Sequence, residues 1–253
     1  MPRNIKAPVK KSSARRQKNR AIQLESSKLE QKIDQSFTLK KIEPMTDAQQ
    51  DVFDAFDEGY NLVLSGAAGT GKSFISLYLA LRHVINNKNE GPSKIMIIRS
   101  TVATRDVGHL PGTLEDKISV YAEPYKAIVN SLFKRGDAWS ILVTKKVIEF
   151  CSTSYLRGTT IDNTFIFVDE YSNMSLHELE TVMTRAGKNT KLIYAGDTVQ
   201  TDLLKDKEKE GHKTFIRIVD NMESFDLIQF GIEDIVRSGV VKEYLLAKHK
   251  LGL

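Results

Sequence analysis

Residues 66–73 constrain this chain more than any other stretch. They read Gly-Ala-Ala-Gly-Thr-Gly-Lys-Ser and fit the phosphate-binding loop pattern G-x-x-x-x-G-K-[ST]. The apolar run 62–64 precedes them, and a helical pattern from Phe74 to about Val84 follows, which is the strand-loop-helix context that the motif requires. The alternative is a glycine-rich turn that matches by chance, and the flanking pattern disfavours it.

The loop residues predict a nucleotide site. Glycines let the backbone curl so that successive N–H groups point at phosphate oxygens, and the following helix adds its positive end. Lys72 is predicted to reach the β- and γ-phosphates, and the Ser73 hydroxyl to bind Mg²⁺. The predicted cofactor-binding residues of the loop are Gly66, Ala67, Ala68, Gly69, Thr70, Gly71, Lys72 and Ser73.

Two carboxylates follow the buried-strand pattern of residues 165–168. Asp169 and Glu170 come at the carboxyl end of that strand, where ligands of open α/β sheets bind. Asp169 is predicted to hold Mg²⁺, directly or through water. Glu170 is predicted to orient and deprotonate a water for attack on the γ-phosphate. The alternative is a solvated pair at a strand end.

Two glutamines are candidate nucleotide contacts. Gln200 follows the apolar run 192–195 and is predicted to sense the γ-phosphate; the alternative is a polar turn. Gln49 comes three residues after Thr46, a predicted helix N-cap. Its amide has the donor and acceptor needed to read an adenine edge, and the alternative is an exposed helix glutamine.

Apolar runs alternate with helical patterns along the chain, which predicts an α/β fold with a parallel sheet covered by helices. Its 253 residues support one sizeable domain, or one domain plus an appendage. We expect the domain to span 37–253 and residues 1–36 to form a basic, largely disordered extension. Pro124 predicts a break in a helical stretch that runs from 114 to 133.

The charge of the chain is uneven. Residues 1–41 contain 12 Lys or Arg and three Asp or Glu, a net charge of +9. Because the whole chain carries +5, residues 42–253 carry −4. The basic segment is expected to attract nucleic acid through counterion release; the alternative is a solvated spacer without a partner.

Composition excludes several classes of protein. The single cysteine, Cys151, rules out an intramolecular disulfide framework. No apolar run approaches the ~18 residues of a membrane span, and the N-terminus lacks the apolar core of a secretory signal. We therefore expect a cytoplasmic protein without a membrane partner.

Phosphoryl transfer gains from an arginine at the developing charge, and another subunit often donates it. The sequence offers five candidates and does not rank them by itself: Arg99, Arg105, Arg157, Arg185 and Arg237.

Taken together, these motifs resemble the PhoH family of P-loop ATPases, which is related to the core of superfamily 1 helicases. The resemblance covers roughly residues 42–245. It rests on six stretches in order: MTDAQQDVF, GAAGTGKS, IIRSTVATRDVGHLPGTLEDKISVYAEPY, SYLRGTTIDNTFIFVDEYSNMS, TRAGKNTKLIYAGDTVQTDL and IEDIVRSGVV. The segment 108–117 and the RG-x-T and VDE-x-x-N elements are more specific than the phosphate loop alone.

The resemblance implies a RecA-like fold, Mg²⁺-dependent ATP hydrolysis and a role in RNA metabolism. It supports the roles given above to Gln49, Lys72, Ser73, Asp169, Glu170 and Gln200, and it favours Arg237 as the arginine finger. Tyr171-Ser172 stand where the family usually has Ala-Gln, and Ser238 stands where it usually has His. Stand-alone versions of this kind look similar to those of bacteriophages, which would place the protein in the host cytoplasm.

A superfamily 1 helicase closes its ATP site between two RecA-like domains, and this chain is long enough for one. We therefore expect a homo-oligomeric ring, a hexamer, with Arg237 acting across the interface on ATP and with RNA or single-stranded DNA as partner. Two alternatives stay open. One is a nucleotide-dependent RNA-binding switch or adaptor with little turnover, and the weaker one is a small-molecule kinase.

Overall fold

The computed structural model describes residues 37–86, 91–99, 114–153, 156, 158–197 and 206–251; for 114–120, 152, 206–210 and 249 it describes only the backbone. The chain divides into two units, Met1–Leu39 and Lys40–Leu253. The basic extension expected over 1–36 lies outside the described residues, and the expected domain boundary at 37 stays a prediction.

Within the described residues the chain forms seven α-helices and six β-strands. In chain order these are α1 (Asp47–Glu58), β1 (Asn61–Gly66), α2 (Lys72–Asn86), β2 (Lys94–Arg99), α3 (Leu114–Phe133), α4 (Ala138–Thr144), β3 (Ile148–Ser152), β4 (Thr164–Asp169), α5 (Leu176–Met183), β5 (Lys191–Gly196), α6 (Asp206–Val219), β6 (Phe225–Phe230) and α7 (Val240–Lys250). No helix among these is both long and apolar enough to span a membrane.

All six strands belong to one sheet in the order β3-β2-β4-β5-β1-β6, and every pairing is parallel. The predicted parallel sheet is therefore confirmed. Strand β5 lies between β1 and β4, so the phosphate-loop strand and the acidic strand are two positions apart. Because parallel strands end at the same edge, the residues that follow β1, β4 and β5 share one side of the sheet.

Helices cover both faces of this sheet. On one face, Val168 of β4 and Tyr194 of β5 join a buried cluster with Leu179 of α5 and Phe215 of α6. On the opposite face, Phe167 of β4 meets α3. Strand β4 is buried at all six positions, which explains its continuous apolar sequence.

Local signals in the sequence set the ends of α1. The Thr46 side chain accepts a hydrogen bond from the Gln49 backbone N–H, and Gly59 ends the helix with a left-handed φ of 93°. Val52 and Phe53 form its buried face. The start of the helix agrees with the predicted N-cap at Thr46, because this cap depends on residues local in sequence.

The break predicted at Pro124 does not occur, since α3 runs without interruption from Leu114 to Phe133. A proline inside a helix removes one backbone donor, and its ring crowds the carbonyl four residues earlier, so the local sequence disfavours continuation. Tyr125, Val129 and Leu132 are fully or almost fully buried along the same helix. Their packing stabilises the helix across the proline. A local sequence pattern does not report this tertiary contribution, so it could not predict the continuous helix.

A glycine at the end of β1 supplies the first test of this fold. Gly66 has φ 120°, and a Cβ at this position would overlap the Phe230 carbonyl oxygen of β6. We expect Gly66→Ala to lower the free energy of unfolding by about 3 kcal/mol, through strain and overpacking. Urea unfolding measures this loss. Gly136→Ala is the matched control, because a Cβ there meets nothing within 4 Å; equal midpoints for the two variants would contradict the packing.

Candidate nucleotide-binding site

A cavity of about 710 Å³ opens at the carboxyl edge of the sheet. Its walls come from the phosphate loop, the ends of β4 and β5, and the segment before α7. Among the predicted site residues, the structure brings together at this cavity Gln49, Ala68, Gly69, Thr70, Gly71, Lys72, Ser73, Asp169, Glu170 and Arg237. Gly66 and Ala67 lie next to them in the loop.

The Lys72 ammonium is held inside the phosphate loop. It donates to the carbonyl oxygens of Gly66 at 2.8 Å and Ala67 at 2.7 Å, and to Thr70 Oγ1 at 3.3 Å. Burial lowers the pKa of Lys72, while the charges of Asp197 and Asp169 oppose this shift. The loop therefore presents a desolvated cation where phosphate oxygens are expected.

Asp169 connects three elements at the end of β4. Its Oδ1 accepts from Ser73 Oγ at 2.9 Å, and its Oδ2 accepts from the Tyr125 hydroxyl of α3 at 2.8 Å. Burial raises the pKa of Asp169, and the hydrogen bonds from Tyr125 and Ser73 oppose the rise. The two predicted Mg²⁺ ligands are thus in direct contact.

A hydroxyl beside a carboxylate suits a hard cation such as Mg²⁺, which prefers oxygen ligands and is usually completed by substrate phosphates and waters. Among the described residues, no group of three or more His, Cys, Asp or Glu is arranged to hold a metal ion. Ser73 and Asp169 therefore fit Mg²⁺ that arrives with a nucleotide, rather than an all-protein metal cage.

Glu170 has an unusual backbone and a charged partner. Its φ of 52° and ψ of 41° lie in the left-handed region, which is strained for a residue other than glycine. Its Oε1 accepts from Arg99 Nη2 at 2.5 Å, and its Oε2 from Arg99 Nε at 3.2 Å. The carboxylate also lines the cavity. Arg99, one of the five candidate arginines, is thus an ion-pair partner of the predicted general base.

Gln49 is buried, which rules out its alternative reading as an exposed helix residue. Its Oε1 accepts from the Met45 backbone N–H at 2.8 Å, and its Nε2 donates to the Thr70 carbonyl at 2.9 Å. The side chain therefore ties the phosphate loop to the segment before α1. A second donor and a second lone pair remain on the amide, and its role as adenine reader stays a prediction.

Arg237 lies against the phosphate loop of its own chain. The Val236 N–H donates to the Gly69 carbonyl at 3.1 Å. A Cβ at Gly69 would be 2.9 Å from Arg237 Cγ. Its action across a protomer interface stays a prediction.

The remaining predicted residues are placed elsewhere or lie outside the described part. Arg185 follows α5, and its carbonyl accepts from the Ile161 N–H at 2.8 Å. Gln200, Arg105 and Arg157 are outside the described residues.

Sequence reasoning missed Tyr125 and the partner of Arg99. The Tyr125 hydroxyl donates to Asp169, which is 44 residues away in sequence, and no local motif marks the pair. Burial raises the pKa of Tyr125 well above its ordinary value, so its hydroxyl keeps its proton and remains a donor. The only signal in the sequence was an aromatic residue on the helical pattern of α3.

The phosphate loop, the Ser73–Asp169 contact and the parallel strand order define a RecA-like P-loop NTPase fold, as expected. The chain matches the PhoH-like protein family over residues 41–248 and belongs to that family.

Curated relatives share its sequence at modest identity. It is 30% identical to a PhoH-like protein of Mycobacterium leprae over 223 residues, covering 85% of this chain and 62% of the relative. It is 28% identical to a PhoH-like protein of Bacillus subtilis over 235 residues, covering 92% and 72%. Matches to Mycobacterium tuberculosis proteins cover 57% of their length, so this chain spans less than two-thirds of several relatives.

Solved structures with a similar fold include the large terminase of a thermophilic bacteriophage in complex with ADP. That match has a TM-score of 0.46 at 10% identity and covers 81% of this chain and 50% of the terminase. Unliganded Pif1 from Bacteroides sp. matches with a TM-score of 0.38 at 14% identity, covering 83% and 46%.

Burial of the Asp169 carboxylate is expected to lower the stability of the folded protein at neutral pH. Because its folded-state pKa lies above its ordinary value, its ionisation opposes folding, and stability falls as pH rises from the ordinary value through the folded-state pKa. We expect Asp169→Asn, which keeps hydrogen-bonding atoms facing both hydroxyls, to melt higher than wild type at neutral pH in EDTA. The melting difference should shrink towards acidic pH.

The control is Asp51→Asn, because Asp51 is exposed on α1 and its replacement should leave melting unchanged. A lower melting temperature for Asp169→Asn at every pH would contradict the assigned cost of the buried charge.

Proposed function

We propose that this chain is a Mg²⁺-dependent ATPase whose turnover is coupled to RNA or single-stranded DNA. The observation that carries the proposal is the contact of Ser73 with Asp169 beside Lys72, with Glu170 in the same cavity. Nucleotide hydrolysis needs a phosphate cradle, a cation site and a base, and these side chains supply all three within one cavity.

Each residue then has a definite task. Lys72 and the loop N–H groups hold the β- and γ-phosphates, while Ser73 and Asp169 hold Mg²⁺, which would neutralise charge on the phosphates. The Tyr125 hydrogen bond fixes the orientation of Asp169. Glu170 orients the attacking water and accepts its proton.

The predicted roles of the two glutamines belong to the same proposal. Gln200, which lies outside the described residues, senses the γ-phosphate. Gln49 reads the adenine edge, and Ile42 and Met45 supply apolar walls of the same cavity for the base. The fixed hydrogen bonds of Gln49 to Met45 and Thr70 support this role, because they lock the amide in one orientation.

Charge supports a nucleic-acid partner. The net charge of +9 in residues 1–41 contrasts with −4 in the remainder of the chain. A segment of this kind binds phosphodiester backbones without sequence preference. RNA and single-stranded DNA are both compatible with that chemistry.

An exposed apolar surface supports assembly with further copies of the chain. On α7, Val240 is 76% and Tyr244 66% exposed, and Leu251 just beyond it is 72% exposed. The same helix approaches the phosphate loop, since Leu245 Cδ1 would be 3.2 Å from a Cβ at Gly69. We propose that a neighbouring protomer covers α7 and that such contacts close a ring, a hexamer.

One observation favours the alternative of a nucleotide-dependent switch or adaptor with little turnover. The carboxylate of the proposed base is already paired with Arg99. If that pair persisted with ATP bound, the protein would bind nucleotide and change its affinity for RNA without rapid hydrolysis.

Phosphate release with and without poly(U) RNA and single-stranded DNA, on a sample of known oligomeric state, tests the proposal. Glu170→Gln removes the base and should lower kcat by ~10²-fold or more while ATP still binds. Lys72→Ala should abolish ATP binding. Glu223→Gln, at an exposed position after α6, is the control and should keep the wild-type rate. Equal rates for wild type and Glu170→Gln would favour the switch.

Mixing two inactive variants shows whether Arg237 acts on the nucleotide of its own chain or on that of a neighbouring protomer. If Arg237 acts across an interface, Arg237→Ala and Lys72→Ala protomers in one ring should regain activity, because an intact phosphate loop then meets an intact arginine. If it acts within its own chain, no site is complete in the mixture. A mixture of Lys72→Ala with Glu170→Gln is the control and should stay inactive, because both residues serve the same site.

A further inference from the structure

The Arg99–Glu170 ion pair engages both oxygens of the proposed general base. The two contacts are 2.5 Å and 3.2 Å long, a bidentate arrangement that fixes the carboxylate in one orientation. A general base needs an oxygen lone pair directed at the attacking water. Here the guanidinium occupies one lone pair on each oxygen, so the direction of the remaining lone pairs is set by Arg99 rather than by the water.

The backbone of Glu170 is strained at the same position. A non-glycine residue in the left-handed region is disfavoured and persists only where its surroundings impose it. The residue follows the fully buried strand β4 and begins the turn Tyr171–Asn173. The bidentate contact with Arg99 therefore fixes a side chain whose backbone is also constrained.

One face of helix α3 contacts Asp169 directly and the Glu170 partner Arg99. Tyr121 and Tyr125 are four positions apart and therefore neighbours on the helix surface. The Tyr121 ring lies under the Arg99 guanidinium, with Cζ 5.8 Å from the ring centroid, and the Tyr125 hydroxyl donates to Asp169 at 2.8 Å. A movement of α3 would therefore alter the partners of Asp169 and Glu170 together.

The ion pair is accessible enough to be exchanged. The Arg99 side chain is 21% and the Glu170 side chain 45% exposed. Arginine binds a phosphate with the same bidentate geometry that it uses for a carboxylate. A phosphodiester that reaches this edge of the sheet can bind the Arg99 guanidinium in place of Glu170. The Glu170 carboxylate is then released from the ion pair.

We infer that Arg99 is a positioning residue that holds Glu170 away from the attacking water, and that a nucleic-acid phosphate releases Glu170 by binding Arg99. The inference rests on the proposed function, since it requires Glu170 to be the base. It gives a physical route by which RNA or single-stranded DNA accelerates ATP hydrolysis, through exchange of one anion for another on one guanidinium.

Arg99→Gln is the direct test. Without nucleic acid and at saturating ATP, its kcat should exceed that of wild type by about fivefold, the order expected for loss of a partly exposed ion pair. Its KM for ATP should not change, and poly(U) should no longer stimulate it. Arg99→Lys keeps the charge but not the bidentate geometry, and its basal rate should lie between the two.

A second readout uses ionic strength. Salt screens a partly exposed ion pair, so the basal rate of wild type at saturating ATP should rise with salt, whereas that of Arg99→Gln should not. The matched control is Arg82→Gln. Arg82 on α2 also pairs with an aspartate, Asp57, and its Cζ lies 5.5 Å from the Phe53 ring centroid. This variant should behave as wild type in both measurements.

The double variant Arg99→Gln/Glu170→Gln shows whether Arg99 acts through Glu170. It should be no faster than Glu170→Gln. A faster double variant, a fall of the Arg99→Gln rate towards that of Glu170→Gln, or stimulation by poly(U) that survives in Arg99→Gln would each overturn the inference.

The same measurements distinguish failure of the Arg99 inference from failure of the proposed function. If wild type and Glu170→Gln hydrolyse ATP equally slowly and Arg99→Gln does the same, Glu170 is not the base, and the proposed function fails. If wild type is faster than Glu170→Gln while Arg99→Gln equals wild type, only the role of Arg99 fails. Binding of a fluorescent ATP analogue confirms that each variant retains a folded site.

Discussion

The two hydrogen bonds accepted by the buried Asp169 carboxylate hold the nucleotide edge of this protein together. Ser73 brings the start of α2 to the end of β4, and Tyr125 brings α3 to the same carboxylate. A buried carboxylate without such donors would be strongly destabilising, so both helices must stay in place for the charge to be tolerated. The position of the proposed cation site is thereby fixed by the packing of three elements rather than by a loop.

Several unfavourable features are concentrated at this edge. The Lys72 ammonium and the Asp169 carboxylate are both buried, and Glu170 has a left-handed backbone. The parallel sheet beneath them, with β4 buried along its whole length, supplies the packing that offsets these costs. The charge of Asp169 opposes the lowering of the Lys72 pKa by burial, so loss of Asp169 would favour neutral Lys72.

Features set by neighbours in sequence were predictable, and those set by distant contacts were not. The Thr46 cap and the phosphate loop are each encoded within a few residues. Helix α4 escaped prediction because only Ala138 and Leu142 of its seven residues are buried, which leaves almost no periodic pattern. The pairing of Arg99 with Glu170 joins residues 71 positions apart, at the carboxyl ends of neighbouring strands. Such a contact follows from strand order and register, which a single sequence does not specify.

The segment from Val236 to α7 connects the wall of the cavity with an exposed apolar surface. Val236 and Arg237 contact Gly69 of the same chain, so this side of the cavity is built in cis. Apolar side chains of α7 nevertheless remain exposed. A protomer that covered α7 would press on Leu245 and, through it, on Gly69. Assembly would then act on the phosphate loop by packing, even if the arginine at the nucleotide belonged to the same chain.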